Sequence, residues 1–424
     1  MRAAFYECDI TPPLGCFIWG HYERRYAEDV MDRLYAKAAV IESEGELAAI
    51  LCIDACALPH DMHDAVTRRV QEFTGIDPER VCITVNHTHW GAPILSLPEL
   101  NSYKDDPYTD VCYRLCADAV ILAYKRLQES TARFGKTELY GYSFNRDYVM
   151  EDGSVRTFHP GKQAFKEMFA DIDPDVSVMS FEQDGKPVGA IFNFALHQCC
   201  CDVAGKPNNK YTGDFSSIVA KELKALYGSD FVCIFLQGTA GDINHVDNDR
   251  TKPRNLYTEI GSALAKKVNE AMQTATPVGE GITVKKQSIV LQKRLANEKY
   301  IKEFAVEHLD NPLFLMRLRN LIYYKASNTE TEATLRLQTI KIGNTVLYCM
   351  PGEVYADFGL ALKERAESEN VMVVEFCNDY CGYIPTKRAF DENCDLYETS
   401  LCHHSCLEPD AGDKMVEKLL EMQK

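Results

Sequence analysis

The chain has 424 residues, 46% of them hydrophobic, with 63 acidic against 46 basic side chains and a formal net charge of −17. That is ample apolar material for a large core, and a field this negative repels nucleic-acid phosphates and anionic lipid, which excludes nucleic acid as a partner. No apolar run approaches the roughly 20 residues needed to span a bilayer, the start MRAAFYECDITPPLG has no long apolar stretch, and the 17 cysteines do not suit a secreted disulfide framework, so the expectation is a cytoplasmic protein.

Residues 36–43 and 48–54 read as a β-hairpin turning at Gly45, with Asp54 ending its second strand. HDMHDAVTRRVQEFTG has helical spacing at Met62, Val66, Val70 and Phe73 with a stop at Gly75, and VCITV follows as a short buried strand. A helix is expected over 108–127, a strand over 133–143, and a hairpin over VSVMSFEQDGKPVGAIFNFAL with Asp184 and Gly185 as its turn. CDVAGKPNNKYTG is a loop, Asp214 is the expected N-cap of a helix reaching Leu226, DFVCIFLQ is the next buried strand, and 255–273 is an amphipathic helix. Strands expected at 282–292 and 333–341 flank a charged helical hairpin insertion at 296–326, expected to cover a pocket, form a dimer contact or pack on the core. The strand, helix, strand rhythm returns after TVLYCMPGE, and AGDKMVEKLLEMQ closes the chain as a helix. The alternation predicts an α/β fold with a mixed β-sheet core flanked by helices, in one domain spanning 1–424.

Potential metal ligands sit in four segments just after apolar runs: His87 with His89 in VNHTHWGAP, His197 in NFALHQ, Glu353 in MPGEVY and Tyr383 in CGYIPT. The carboxyl ends of strands are where open α/β sheets deliver chemistry. In extended backbone an HxH aims both imidazoles to one side, suited to one metal, although ordinary hydrogen-bonded loop histidines fit as well. Taken singly, His197 also reads as a buried histidine, Glu353 as a carboxylate favoured at a helix N-terminus, and Tyr383 as a core or rim aromatic. The trio Cys199, Cys200 and Cys201 cannot easily converge on one metal because neighbouring side chains in extended backbone point apart, so packing is the expectation. The CHHSC segment at 402–406 has poor spacing for a structural zinc site and is likewise expected to pack. Cys377 with Cys381, and Cys112 with Cys116, are four apart and lack the CxxC spacing.

DITPPLG (9–15), HTHWGAP (87–93), FNRDY (144–148), LHQ with TGDFSS (196–217), QGTAGDIN (237–244), MPGE (350–353) and YCGYIPTKRAF (380–390) together resemble, in order, the amino-terminal catalytic domain of the neutral ceramidase family. The resemblance implies a zinc-dependent hydrolase of linear amides, an N-acyl compound or ceramide-like amide, with zinc-activated water as nucleophile. An esterase, or a relative that only binds a small ligand, are the alternatives. By motif position the resemblance assigns His87, His197, Glu353 and Tyr383 as zinc ligands. It places His89 beside the metal as a proton-handling residue and Arg146 near the site, with Asp54, Gln237 and Asp242 as supports. The family motif GDVSPN reads GDINHV here, which puts Asn244 at the position of a serine implicated in catalysis. HTHSGP reads HTHWGAP, so Trp90 replaces a small residue near the metal and is expected to reshape the entrance. Both departures argue against long-chain ceramide as substrate.

Overall fold

The computed structural model describes residues 1–21, 24–96, 103–157, 165–201, 208–247, 256–308 and 313–423. Its architecture is built from one arrangement used three times: an antiparallel hairpin, a helix, and a strand returning parallel to the hairpin's second strand. In the first unit Tyr35–Ser43 pairs with Glu46–Ile53 through a turn at Glu44 and Gly45, whose positive φ values of 55° and 82° suit a tight hairpin. Helix α1 (His60–Thr74) then runs to Gly75, which ends it in the left-handed conformation, and Val81–Val85 returns parallel to Glu46–Ile53. Helix α2 (Asp106–Tyr124), capped by the Asp105 side chain, packs beside α1 on the same sheet.

The second unit joins Asp175–Gln183 and Lys186–Phe194, then α3 (Asp214–Tyr227), then Val232–Gln237, with α4 (Tyr257–Thr274) beside α3. Before the third unit, strand Ile282–Gln292 leads into α5 (Glu298–Glu307) and α6 (Phe314–Ser327). The third unit joins Glu332–Ile342 and Thr345–Cys349, α7 (Ala356–Arg365) and Asn370–Val374, with α8 (Ala411–Gln423) on α7.

Each sheet is apolar on both faces, which explains the near-continuous hydrophobic runs VCITV, VCIFLQ and NVMVV. In Asn370–Val374, Met372 and Val374 point into a core shared by the three sheets, while Val371 and Val373 point toward α7 and α8. Ile50 and Cys52 face the same shared core, and Leu51 and Ile53 face α1 and α2. The sheets therefore meet back to back, helices cover their outer faces, and the parallel strands end near one another. That convergence positions the site.

The hairpin, helix and insertion expectations match these elements, with local differences. Phe73 is 48% exposed and stacks under Arg69, while His63 and Thr67 take buried positions on α1. The strand expected at 133–143 is Thr131–Glu138. Asp214 lies inside α3, where its carboxylate accepts the N–H groups of Phe215 and Cys200, so it ties the helix to the cysteine loop instead of capping. Residues 202–207 of the CDVAGKPNNKYTG loop and residue 255 lie outside the described residues, and within the rest of that loop Lys210–Tyr211 forms a short strand parallel to Asp29–Val30. The inner face of the insertion, Phe304, Leu321 and Tyr324, packs on Leu401 and Cys406. Among the described residues no helix is long and apolar enough to cross a membrane.

Candidate metal centre

Strand ends bring the predicted ligands together. His87 follows Val81–Val85, His197 follows Lys186–Phe194, and Glu353 follows Thr345–Cys349. Tyr383 lies past Asn370–Val374 in a short parallel pairing that sets it opposite Glu353. His87 has φ of 64°, so the HxH converges through a left-handed residue and not through the extended geometry expected; the His87 and His89 rings stand 4.9 Å apart at 87°. A bulky residue held there is strained, and the surroundings that hold it are specific. The His87 ring stacks on Phe376 at 4.2 Å, and Asp54 and Asn86 fix the loop, with Asn86 donating to Asp54 at 2.7 Å and to Ser216 at 3.2 Å.

The ring nitrogens are committed. His87 Nδ1 pairs with the Cys56 carbonyl at 2.5 Å and His197 Nδ1 with the Ala240 carbonyl at 3.3 Å. A carbonyl only accepts, so both Nδ1 atoms carry the proton and both Nε2 atoms present lone pairs. Those Nε2 atoms are 2.8 Å apart. Burial pushes the His87 pKa down to about 3 and that of His197 well below the ordinary value, so no shared proton relieves the contact at neutral pH.

The third corner is Glu353 Oε2, buried without a hydrogen-bond partner, 3.7 Å from His87 Nε2 and 4.0 Å from His197 Nε2. Two lone pairs and an unpartnered carboxylate oxygen facing one another fit a cation and little else. The point equidistant from the three atoms lies about 2.1 Å from each, against roughly 2.0–2.2 Å for zinc bonds to imidazole nitrogen or carboxylate oxygen. The residues present fit a metal ion of that size.

Burial raises the Glu353 pKa, opposed by Tyr380, Tyr383 and Arg146. Tyr380 donates to Glu353 Oε1 at 2.8 Å. Arg146 donates to Glu398 at 2.6 Å and to the Gly241 carbonyl at 2.7 Å, and its guanidinium lies 5.5 Å from the centre of the Tyr383 ring. His89 Nε2 is 3.4 Å from His87 Nε2, and its ring is held against Gly20, where a Cβ would come within 2.7 Å of it. Burial, then the neighbouring His87 and His197, keep His89 neutral.

The other sequence candidates take structural positions around this triangle. Gln237 donates to the Leu196 carbonyl at 3.0 Å, and Asp242 accepts from Asn145 at 2.7 Å and from the first N–H of α7 at 2.9 Å. Burial lifts the Asp242 pKa to about 7. Gly241 must be glycine because a Cβ would meet the Glu353 carbonyl at 2.6 Å. Asn244 accepts the Val246 N–H at 2.8 Å. Trp90 is fully buried, donates to the Asn208 carbonyl at 2.9 Å, and its ring lies beside those of His21 and His89. Cys200 and Cys201 are buried in separate apolar clusters, and in CHHSC the buried His404 bonds Tyr397 while His403 bonds Ser327.

Sequence reasoning did not single out Cys56, Phe376, Tyr380 or Glu398. Tyr380 was visible as the first tyrosine of YxxY, but a backbone carbonyl such as that of Cys56 leaves no signal in side-chain patterns.

Known proteins resemble this chain in sequence family and in fold. Residues 7–312 match the family model "Neutral/alkaline non-lysosomal ceramidase, N-terminal". The neutral ceramidase from Pseudomonas aeruginosa has a similar fold, with a TM-score of 0.74 at 18% identity over 99% of this chain and 73% of its own. A ceramidase complexed with C2 is similar at 0.76 and 20%, over 99% of this chain and 74% of its own. No curated protein matches the sequence. The chain belongs to the neutral/alkaline non-lysosomal ceramidase family, through that family's amino-terminal domain.

Proposed function

We propose that this protein is a zinc-dependent hydrolase of linear amides, with N-acyl compounds and ceramide-like amides as its substrate class. The observation that carries the reading is the triangle of His87 Nε2, His197 Nε2 and the unpartnered Glu353 Oε2. Zinc held by these residues, with Tyr383 alongside, would supply carbonyl polarisation and a water acidified to a pKa of about 7.

The remaining chemistry falls to the chain's own side chains. His89, buried and neutral beside the ligand set, accepts the water proton at Nε2 and returns it to the leaving amine. The Tyr383 hydroxyl donates to the oxyanion of the tetrahedral intermediate. Arg146, locked between Glu398 and the Gly241 carbonyl, keeps positive charge beside Tyr383. Asn244 lacks a nucleophilic oxygen; its Oδ1 is bound to Val246, which leaves its amide N–H group as the donor for substrate.

The family and the small molecule bound to a solved relative support a small-molecule amide substrate. A panel of N-acyl amides and esters, assayed with zinc-loaded protein and with Glu353→Gln, tests the proposal. Turnover that requires zinc and falls at least ~100-fold in the variant supports it; turnover surviving both zinc removal and Glu353→Gln sinks it. The replacement of the family serine by Asn244 motivates a second reading, ligand binding without turnover. A zinc-loaded protein inert across the whole panel would favour that reading.

A further inference from the structure

Beneath the candidate metal centre lies a second group of ligand atoms. Cys82, Cys349 and Cys377 are fully buried, and their three sulfurs lie within 4.8 Å of one another, with Cys82 and Cys349 at 3.7 Å. We propose that these three thiols form a structural site for a thiophilic d10 cation, zinc(II) or copper(I), separate from the catalytic centre.

The geometry fits. With one side of 3.7 Å and the other two no longer than 4.8 Å, the point equidistant from the three sulfurs lies within about 2.6 Å of each, which accommodates the zinc–sulfur distance of about 2.3 Å. Three sulfurs from three rigid elements meet there: Cys82 on Val81–Val85, Cys349 at the end of Thr345–Cys349, and Cys377 just past Asn370–Val374. Backbone bonds hold the third to the other two. The Cys377 N–H donates to the Met350 carbonyl at 2.8 Å, the Asn378 N–H to the Ile83 carbonyl at 2.7 Å, and the Thr84 hydroxyl to the Glu375 carbonyl at 3.0 Å. Soft sulfur ligands select zinc(II) and copper(I) over hard cations.

Buried cysteines often pack as small hydrophobes, and a second observation separates this trio from that case. The Lys286 ammonium donates to the carbonyl of Val81, the residue before Cys82, to the Pro78 carbonyl and to His63, and it lies within electrostatic reach of Cys82, Glu79 and Cys349. Binding either cation breaks three S–H bonds, forms three metal–sulfur bonds and releases three protons to solvent. Three thiolates leave one net negative charge on zinc(II), which the Lys286 ammonium offsets, and two on copper(I), of which it offsets one.

The position also has a purpose in this fold. Each cysteine precedes a candidate catalytic ligand on the same stretch of chain: Cys82 before His87, Cys349 before Glu353, Cys377 before Tyr383. Phe376, adjacent to Cys377, stacks on the His87 ring. An ion on the three sulfurs would staple the first sheet to the third directly below the site those segments build.

The test uses the full chain produced with zinc and copper in the medium, as wild type, as His87→Ala/His197→Ala, and as Cys82→Ser/Cys377→Ser. Metal content is measured in all three, and each is exchanged with cadmium to look for the ultraviolet charge-transfer absorption of thiolate–cadmium bonds. Wild type is expected to hold about two ions per chain, the histidine variant, which has lost the catalytic ligands, to retain about one together with the charge-transfer band, and the cysteine variant to retain about one at the catalytic centre and to lose the band. Copper or zinc as the retained ion identifies which cation the site takes. Should the cysteine variant fail to fold, the histidine variant still decides: no retained ion and no thiolate band overturns the proposal. Loss of the catalytic ion alone, or of the thiol ion alone, distinguishes failure of one site from failure of the other.

Discussion

Tyr380→Phe isolates one hydrogen bond at the heart of the metal centre. The phenol donates to Glu353 Oε1 at 2.8 Å, opposite the oxygen that faces the two imidazoles, and the variant removes only that oxygen from a buried ring. A hydrogen bond to a charged group contributes about 1.5–3 kcal/mol. At 1.4 kcal/mol per factor of ten, zinc affinity should fall roughly 10- to 150-fold, overlapping the 10- to 100-fold found when groups supporting metal ligands are removed. The same loss acts on the proton. Burial already raises the Glu353 pKa and Tyr380 opposes it, so without Tyr380 the carboxyl protonates at higher pH. The pH of half-maximal zinc occupancy should then rise. Competition against a chelator of known affinity, repeated from pH 5 to 8, measures both quantities. An affinity within threefold of wild type, with an unmoved pH midpoint, would mean that Glu353 is not a ligand or that Tyr380 does not orient it.

Gly20→Ala places a Cβ within 2.7 Å of the His89 ring at a backbone φ of 109°, so it should depress kcat at least ~10-fold while leaving zinc content unchanged, as kinetics and elemental analysis would report. Arg146→Ala leaves the buried Glu398 carboxylate without its ion-pair partner and should cost about 3–5 kcal/mol in urea unfolding, whereas Arg146→Met with Glu398→Met should recover most of that loss. Buried His404 has its pKa held down to about 4, so the unfolded chain binds its proton first as pH falls from about 6.5. Its contribution of about 3 kcal/mol, present at neutral pH, is therefore lost between pH 6.5 and 4, and His404→Gln should make the urea midpoint less acid-sensitive in that window. Asp242 acts with the opposite sign: burial raises it to about 7, so its contribution is present in acid and fades as pH rises toward and through 7, and Asp242→Asn should remove that fading.

Much of the scaffold was legible because burial on both faces leaves strong signals. VCITV, VCIFLQ and NVMVV could only be interior strands, and paired turn residues such as Asp184 and Gly185 marked the hairpins. The three-fold use of hairpin, helix and parallel strand was not legible, since it is a repetition of topology without a repetition of sequence. At the site, residue types at strand ends pointed to His87, His197 and Glu353. Their convergence depends on the left-handed His87 and on the Cys56 and Ala240 carbonyls, and none of these is written in side-chain identity. Phe73 shows the opposite failure: helical spacing matched an apolar face, but the chain covers α1 elsewhere and leaves that ring under Arg69. Cys82, Cys349 and Cys377 are too far apart in sequence for any spacing rule to group them.

Anomalous diffraction at the zinc absorption edge from crystals of the zinc-loaded protein tests the central claim most directly. A peak about 2.1 Å from His87 Nε2, His197 Nε2 and Glu353 Oε2 alike, with Tyr383 beside it, is expected. Crystals of the same loaded protein with no peak inside that triangle, or with zinc bound only at other residues, would contradict it.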